Sequence, residues 1–433
     1  MAKVFPRRDE RPLAQCERFQ RMPKTMSYLP GSVIYFSGDV DDRVFILQRG
    51  QVSIKTVDIK TGAEHADTIK PGEFIGLSSA LGHFPREETV SAVSAVSCVV
   101  MGVPELEPLF GRNKPLVMKM LRVFSNQLRS IHKEIESSLS KGEIVDQETG
   151  LFSVAKAFYD DKSWRSCLDV CRIFAEKFPG SKSRVEALRM EKSAEAHFKK
   201  EAKAGGDDGF GADGGLDIDD MFSLPAFERF AKVYEDGQVI ISEFQNGDSF
   251  YFIQRGEVEL VKCANGMNKT LDILKPGEIF GEMAILDNSP RSATCVASGK
   301  VKCLEFNKDN FEAIVTGNPQ IAITLLRLFC KRVHDQRRRF RILLLPDVYS
   351  KVADVFCMFD EMASRSSADG QCELALTISD VANWAGVSFD ATSDEINKFS
   401  MSGKIRVFDD RIVVNNIADM RRIVELRSTI MKR

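Results

Sequence analysis

Glu282 lies nine residues ahead of Arg291, and the chain between them is a short apolar turn closed by Pro290. A carboxylate accepts hydrogen bonds from hydroxyl groups such as those on a sugar edge. A guanidinium fork, helped by backbone N–H groups at a helix start, satisfies the acceptor oxygens of a phosphodiester. Together the two side chains suit one small ligand, a ribose joined to a cyclic phosphate. A surface salt bridge in an ordinary β-turn is the competing reading of the same residues.

Such a pair needs a scaffold, and the chain supplies it twice. Its 433 residues exceed what one core normally holds, so two to four domains are expected. Gly31-Ser-Val-Ile34 recurs as Gly237-Gln-Val-Ile240, and Gln48-Arg-Gly-Gln-Val52 as Gln254-Arg-Gly-Glu-Val258. Lys70-Pro-Gly-Glu73 returns as Lys275-Pro-Gly-Glu278, with Ser97-Cys98 matching Lys302-Cys303. Both copies carry short alternating apolar runs broken by Gly and Pro-Gly turns, then a long helix-patterned stretch. The pattern predicts an α+β chain. Two antiparallel β-rolls, each with a long C-terminal helix, are joined by a helical-hairpin insert and followed by a C-terminal winged helix.

The run Phe280–Thr294, FGEMAILDNSPRSAT, resembles the phosphate-binding cassette of cyclic-nucleotide-binding domains in its F-G-E, apolar pair and P-R-S-A-T. The resemblance implies that Glu282 holds the ribose 2′-hydroxyl. It gives Arg291 the cyclic phosphate, with Ser292 and the N–H groups of Met283 and Ala284, while Phe280, Gly281 and Ala293 complete the site. The implied ligand is cyclic AMP or cyclic GMP, acting as a regulatory ligand with no further cofactor. In the first copy Leu77 stands where Glu282 is expected, and Glu87 and Glu88 follow Arg86. Those carboxylates repel an anion and offer Arg86 an internal partner. Losing a hydrogen bond to a charged group costs roughly 1.5–3 kcal/mol, so the first copy is expected to hold no ligand.

The long helices show heptad seams. One runs Ala322, Leu326, Phe329, Val333, Gln336, Phe340, Leu343; the other Val117, Leu121, Phe124, Leu128, Ile131, Ile135. Such seams demand a partner helix, which predicts a homodimer through the long helices, with pairing inside one chain as the alternative. In the family this helix lids the pocket, which by resemblance assigns Gln336 and Arg337 to the base. Small hydroxyl residues are usual there in bacterial adenine readers, so adenine and guanine both stay open. The basic run Lys331–Arg341 reads by default as a solvated helix face, with a pocket lid or part of a nucleic-acid surface as the alternatives.

The expected boundaries are 15–140 and 221–343 for the two rolls, 148–202 for the insert, 203–220 for a Gly/Asp-rich linker and 347–433 for the last domain. The insert is similar to one tetratricopeptide-like helix pair, which must pack on a neighbour or a protein partner. The last domain resembles the winged helix-turn-helix of Crp/Fnr regulators. That resemblance assigns DNA contacts to Ser388, Asp390, Asp394, Asn397, Lys398, Lys404 and Arg406. Yet 347–433 holds 11 Lys/Arg against 14 Asp/Glu, a net of −3, where a DNA-binding domain is normally basic. A protein-binding adaptor, contacting partners through the insert or this domain, is the rival to a transcription regulator.

The net charge of −2 gives no general attraction to nucleic acid or anionic membranes. The ten scattered cysteines fit reduced thiols, and no apolar run reaches the roughly 18 residues of a membrane span. A cytoplasmic protein is expected, without membrane partners. No Walker-type loop, GxSxG elbow, paired catalytic carboxylates or metal cluster suggests an enzyme.

Overall fold

A computed structural model describes residues 23–139, 146–201, 225–264, 266–287, 289–363 and 370–431. The Gly/Asp-rich segment 203–220 lies outside these residues. The chain divides into two compact units, one formed by residues up to 56 with 66–109, the other by 57–65 with 110–433.

The first unit is a β-roll. Its strands are β1 (Lys24–Tyr28), β2 (Val33–Tyr35), β3 (Val44–Arg49), β4 (Val52–Val57), β5 (Glu64–Ile69), β6 (Phe74–Ile75), β7 (Thr89–Ala92) and β8 (Val96–Met101), with α1 (Leu77–Gly82) between β6 and β7. They form two four-stranded sheets, ordered β1-β8-β3-β6 and β2-β7-β4-β5. Alternate residues such as Phe45, Leu47, Val52 and Val90 face inward and form the core. The repeated Gln-Arg-Gly turn has a steric cause. Gly50 sits at φ +91°, where a Cβ would lie 2.3 Å from the Ala95 carbonyl oxygen, and Gly256 at φ +79° meets the Lys300 carbonyl at 2.4 Å.

The second unit opens with the end of α2 (Leu106–Arg112) and α3 (Lys114–Leu139), followed by α4 (Gln147–Asp160), α5 (Trp164–Lys177) and α6 (Arg184–Glu201). The insert therefore has three helices where the sequence suggested two. Asp146 caps α4 by accepting from the N–H groups of Glu148 and Thr149. The apolar faces of the insert close on the following roll: Leu151, Phe158 and Phe174 share one core with Val239, Val261 and Val296.

That roll contains β9 (Ala231–Tyr234), β10 (Val239–Ile241), β11 (Ser249–Ala264), β12 (Met267–Leu274), β13 (Ile279–Phe280), α7 (Glu282–Asp287) and β14 (Thr294–Asn307). The strands run β10-β14-β11-β12, with β13 on β11 and β9 on β14. Next come α8 (Lys308–Gly317) and the long α9 (Pro319–Leu344), whose start is capped by Asn318 with Pro319 in the first turn.

The seams on α3 and α9 meet each other. Leu128, Ile131 and Ile135 of α3 share a core with Val333 and Phe340 of α9 and with strands of the second roll. The partner helix that the sequence assigned to a second copy is thus present in the same chain. Burial of both apolar stripes within the chain satisfies the demand that suggested a homodimer.

The C-terminal part holds α10 (Val348–Ala363), β15 (Cys372–Leu374), α11 (Ile378–Ala385), α12 (Phe389–Met401), β16 (Ile405–Val407), β17 (Ile412–Val414) and α13 (Ile417–Met431). Its sheet is β15-β17-β16, so the expected hairpin gains a third strand. Thr377 and Asp380 form a reciprocal capping box at the start of α11, and Gly386 ends it at φ +62°. Among the described residues no single helix is long and apolar enough to cross a membrane.

Candidate ligand-binding site

Phe280 ends β13, and Gly281 turns the chain at φ +80° into α7, which begins with Glu282. The positive φ at 281 favours glycine, and a Cβ there would lie 2.8 Å from the Arg291 guanidinium. Gly247 makes room for the same side chain, with its would-be Cβ 2.4 Å from Arg291 Nη2. Arg291 thus enters between two glycines and donates through Nη1 to the Gly281 carbonyl. Burial holds its pKa below the usual guanidinium range.

The space in front of these residues is a cavity of about 30 Å³, lined by Phe280, Gly281, Glu282, Met283, Ala284, Arg291, Ser292 and Ala293, with Ile241, Leu260 and Cys295. The structure brings together all eight cassette residues singled out in the sequence. Two further lining residues, His132 and Arg332, were not foreseen. Arg332 donates through Nη1 to Glu282 Oε1 at 2.9 Å and to the Ile279 carbonyl at 2.7 Å. Burial works to lower its pKa, but Glu282, Glu278 and Asp272 outweigh that and hold it above the ordinary value. Glu282 is 2% exposed, so its ion pair with Arg332 lies away from water.

His132 comes from α3. Burial, then the positive charges of Arg332, Lys262, Arg339 and Arg129, depress its pKa, which keeps the imidazole neutral at pH 7. Ligand pockets usually have about 300–1,000 Å³, so a nucleotide enters only if this cavity opens, and His132 and Arg332 stand on its helical side.

Gln336 and Arg337, assigned to the base by resemblance, do not line the cavity. Gln336 is buried and donates through Nε2 to Asp272 Oδ2 at 2.8 Å. The basic run is not a solvated face either. Arg332 and Arg339 are buried, Arg338 makes a bidentate pair with Asp354 at 2.8 and 2.6 Å, and Arg339 donates to the Asn383 carbonyl at 2.8 Å. Helix α9 needs these guanidiniums to join the roll to the C-terminal elements.

The first copy keeps the bond from the arginine to the carbonyl of the equivalent glycine but differs in the groups around it. Arg86 has a fully buried side chain that donates to the Gly76 and Arg43 carbonyls and, at 2.7 Å, to Ser79 Oγ. Its guanidinium lies 3.6 Å from Asp41 and 4.6 Å from the Tyr35 ring centroid. Asp41 is a carboxylate partner of Arg86, and Glu88 accepts from the Tyr35 hydroxyl at 2.5 Å. Leu77 is buried where a ribose acceptor would stand.

The residues assigned to DNA share little positive charge. Ser388, Asp390, Asp394, Asn397 and Lys398 are exposed on or beside α12, but Lys398 is paired with Glu395 at 2.8 Å. Lys404 donates to the Tyr349 hydroxyl at 3.0 Å, and Arg406 is exposed on β16.

Residues 25–113 and 231–318 match the family model of the cyclic nucleotide-binding domain. The chain carries two such domains. Similar proteins include a cAMP-dependent protein kinase regulatory subunit from Mucor circinelloides f. lusitanicus, 39% identical over 82 residues, which are 19% of each chain. A CRP-like cAMP-activated global transcriptional regulator from Mycobacterium tuberculosis is 23% identical over 182 residues, 42% of this chain and 81% of that protein. The match to the kinase subunit thus spans about a fifth of its length. Among solved structures, a CRP/FNR-family transcriptional regulator from Thermus thermophilus aligns at TM-score 0.34 with 20% identity, covering 46% of this chain and 99% of that one.

Two outcomes test this geometry. Arg332→Met leaves the Glu282 carboxylate buried without its partner, which should lower unfolding stability by about 3–5 kcal/mol, and adding Glu282→Gln should recover part of it in urea titrations. Asp335 is the second case: burial first, against Lys331 and His334, raises its carboxyl from 3.8 to about 7. The folded chain then keeps a proton that the unfolded chain has lost between these values. Stability contributed by Asp335 should therefore fall as pH rises from about 4 to 7, and Asp335→Asn should flatten that slope in urea unfolding across this range.

Proposed function

We propose that this chain is a cyclic nucleotide-responsive regulator whose second roll binds the ligand and whose C-terminal unit is a winged helix that delivers the output. The observation that carries this reading is the single cavity faced by Glu282 and Arg291, with glycines at 247 and 281 clearing the approach of the guanidinium. Glu282 takes the ribose hydroxyl, and Arg291 with Ser292 and the N–H groups of Met283 and Ala284 takes the cyclic phosphate. The first roll binds no ligand, because both Nη groups of Arg86 are bonded within the fold and Leu77 offers no acceptor for a ribose.

Output runs along α9. Arg332 touches the cassette, while Arg338 and Arg339, about two turns further on, hold Asp354 and Asn383. A ligand that favours one placement of Arg332 biases the helix and hence the C-terminal unit. The free thiols of the described cysteines suit a cytoplasmic setting.

A second reading, a signalling adaptor acting through protein contacts, is favoured by one observation. The exposed start of α12 presents Phe389, Asp390 and Asp394, which suit a basic protein surface better than phosphates.

Calorimetry with cyclic AMP and cyclic GMP should show one site per chain. Arg291→Ala should weaken binding by more than roughly tenfold, the worth of a charge-assisted hydrogen bond, while Arg86→Ala should leave it nearly unchanged. Selection of DNA from a random pool at moderate salt, with ligand present, separates the outputs. Recovery of a sequence-specific site supports the regulator, and failure to enrich any sequence supports the adaptor.

A further inference from the structure

Phe244, in the loop between β10 and β11, is a bulky residue held in a conformation that suits glycine. Its φ of +64° lies in the left-handed region, where such a side chain is an outlier that its surroundings must enforce. Those surroundings come from two directions.

On one side stands Arg291. The Phe244 N–H donates to the Arg291 carbonyl at 3.1 Å, and the Arg291 N–H donates to the Gln245 carbonyl at 2.8 Å. Gly247, two residues further on, is the glycine that clears the Arg291 guanidinium.

On the other side stands the helical insert. Lys177 of α5 donates to the Phe244 carbonyl at 3.2 Å and to Gln147 Oε1 at 3.3 Å, and Gln147 of α4 donates to Asn246 Oδ1 at 3.2 Å. The Phe244 ring lies against α4 at Gly150, where a Cβ would come within 2.7 Å of three ring atoms. Gly150 is a buried helical residue without a positive φ, and glycine weakens a helix. Its missing side chain is therefore explained by the ring.

The insert also grips the strand that leads into this loop. Ser166 donates to the Gly237 carbonyl at 2.8 Å, and Asp169 accepts the Val239 N–H at 3.1 Å, at the start of β10. The loop is thus fixed before and after β10 by α4 and α5, and it carries Arg291 on its far side. A guanidinium bonds a phosphate well only over a narrow range of distance and angle, so the loop's placement decides how well Arg291 can do so.

We propose that the helical insert is a positioning module for nucleotide binding: Lys177 and the Phe244–Gly150 contact set the 244–247 loop, the loop sets Arg291, and docking of the insert tunes affinity for the cyclic phosphate. The proposal rests on the cyclic-nucleotide reading above. By linkage the coupling runs both ways, so an occupied cavity holds α4 and α5 more tightly on the roll.

Calorimetry on the full chain with cyclic AMP and cyclic GMP is the test. For whichever nucleotide binds, Gly150→Ala and Lys177→Met should each weaken binding about fivefold or more, the low end of ordinary coupling between sites. Lys177→Arg, which keeps a charged donor, should bind more tightly than Lys177→Met. Alanine favours a helix over glycine, so an insert with a merely structural role would leave affinity unmoved in Gly150→Ala. Urea unfolding checks that each variant folds. Hydrogen exchange on the unmodified chain needs no variant: saturating nucleotide should slow exchange in α4 and α5. If neither variant folds, that measurement decides. Unchanged affinity in the folded variants, or exchange in α4 and α5 indifferent to a nucleotide that calorimetry shows to bind, overturns the positioning role and leaves the cyclic-nucleotide reading standing. Binding of neither nucleotide to the unmodified chain overturns that reading, and this proposal with it.

Discussion

A guanidinium removed from water must be met by carboxylates and carbonyls, and Arg332 brings that requirement to the middle of the second unit. Its bonds to Glu282 and to the Ile279 carbonyl fasten α9 to the cassette. The same helix then uses Arg338 and Arg339 to hold Asp354 and Asn383. Breaking a buried pair by removing one partner is far costlier than never having made it. Cassette, long helix and C-terminal elements are therefore bound by charges that all depend on the position of α9.

The two rolls share a plan and differ in how they satisfy one arginine. Arg86 is consumed by carbonyls, a serine, Asp41 and the face of Tyr35. Arg291 lies between glycines at the edge of a cavity and donates to the Gly281 carbonyl. The replacement of Glu282 by Leu77 belongs to the same change, since a leucine fills apolar space and asks for no polar ligand.

Much of this was legible in the residues. The repeated Gln-Arg-Gly and Lys-Pro-Gly-Glu turns marked both rolls, and the cassette residues from Phe280 to Ala293 proved to line one cavity. The rest was hidden for physical reasons. Arg332 and Glu282 are 50 residues apart, and a basic run gives no sign of which guanidiniums will be buried. The apolar spacing around it, with Phe329 and Val333 in the seam, was the available signal that Arg332 sits at the inner edge of the helix. His132 reaches the cavity only because α3 pairs with α9, a contact that heptads demand without naming the partner. Strand β15 has three residues, too few for alternation to show. The third helix of the insert, α4, carries its own Asp146 cap and was missed by matching the stretch to a two-helix repeat.

Because both members of the α3–α9 pair are spun from one polypeptide, their encounter is first order and does not fade on dilution, unlike that of helices on separate molecules. A twofold assembly of identical copies would stamp every substitution on both sides of its axis. The α3–α9 pair lies outside that rule: α3 can offer Ile131 and His132 while α9 offers Arg332 and Gln336, each free to diverge without its mirror image.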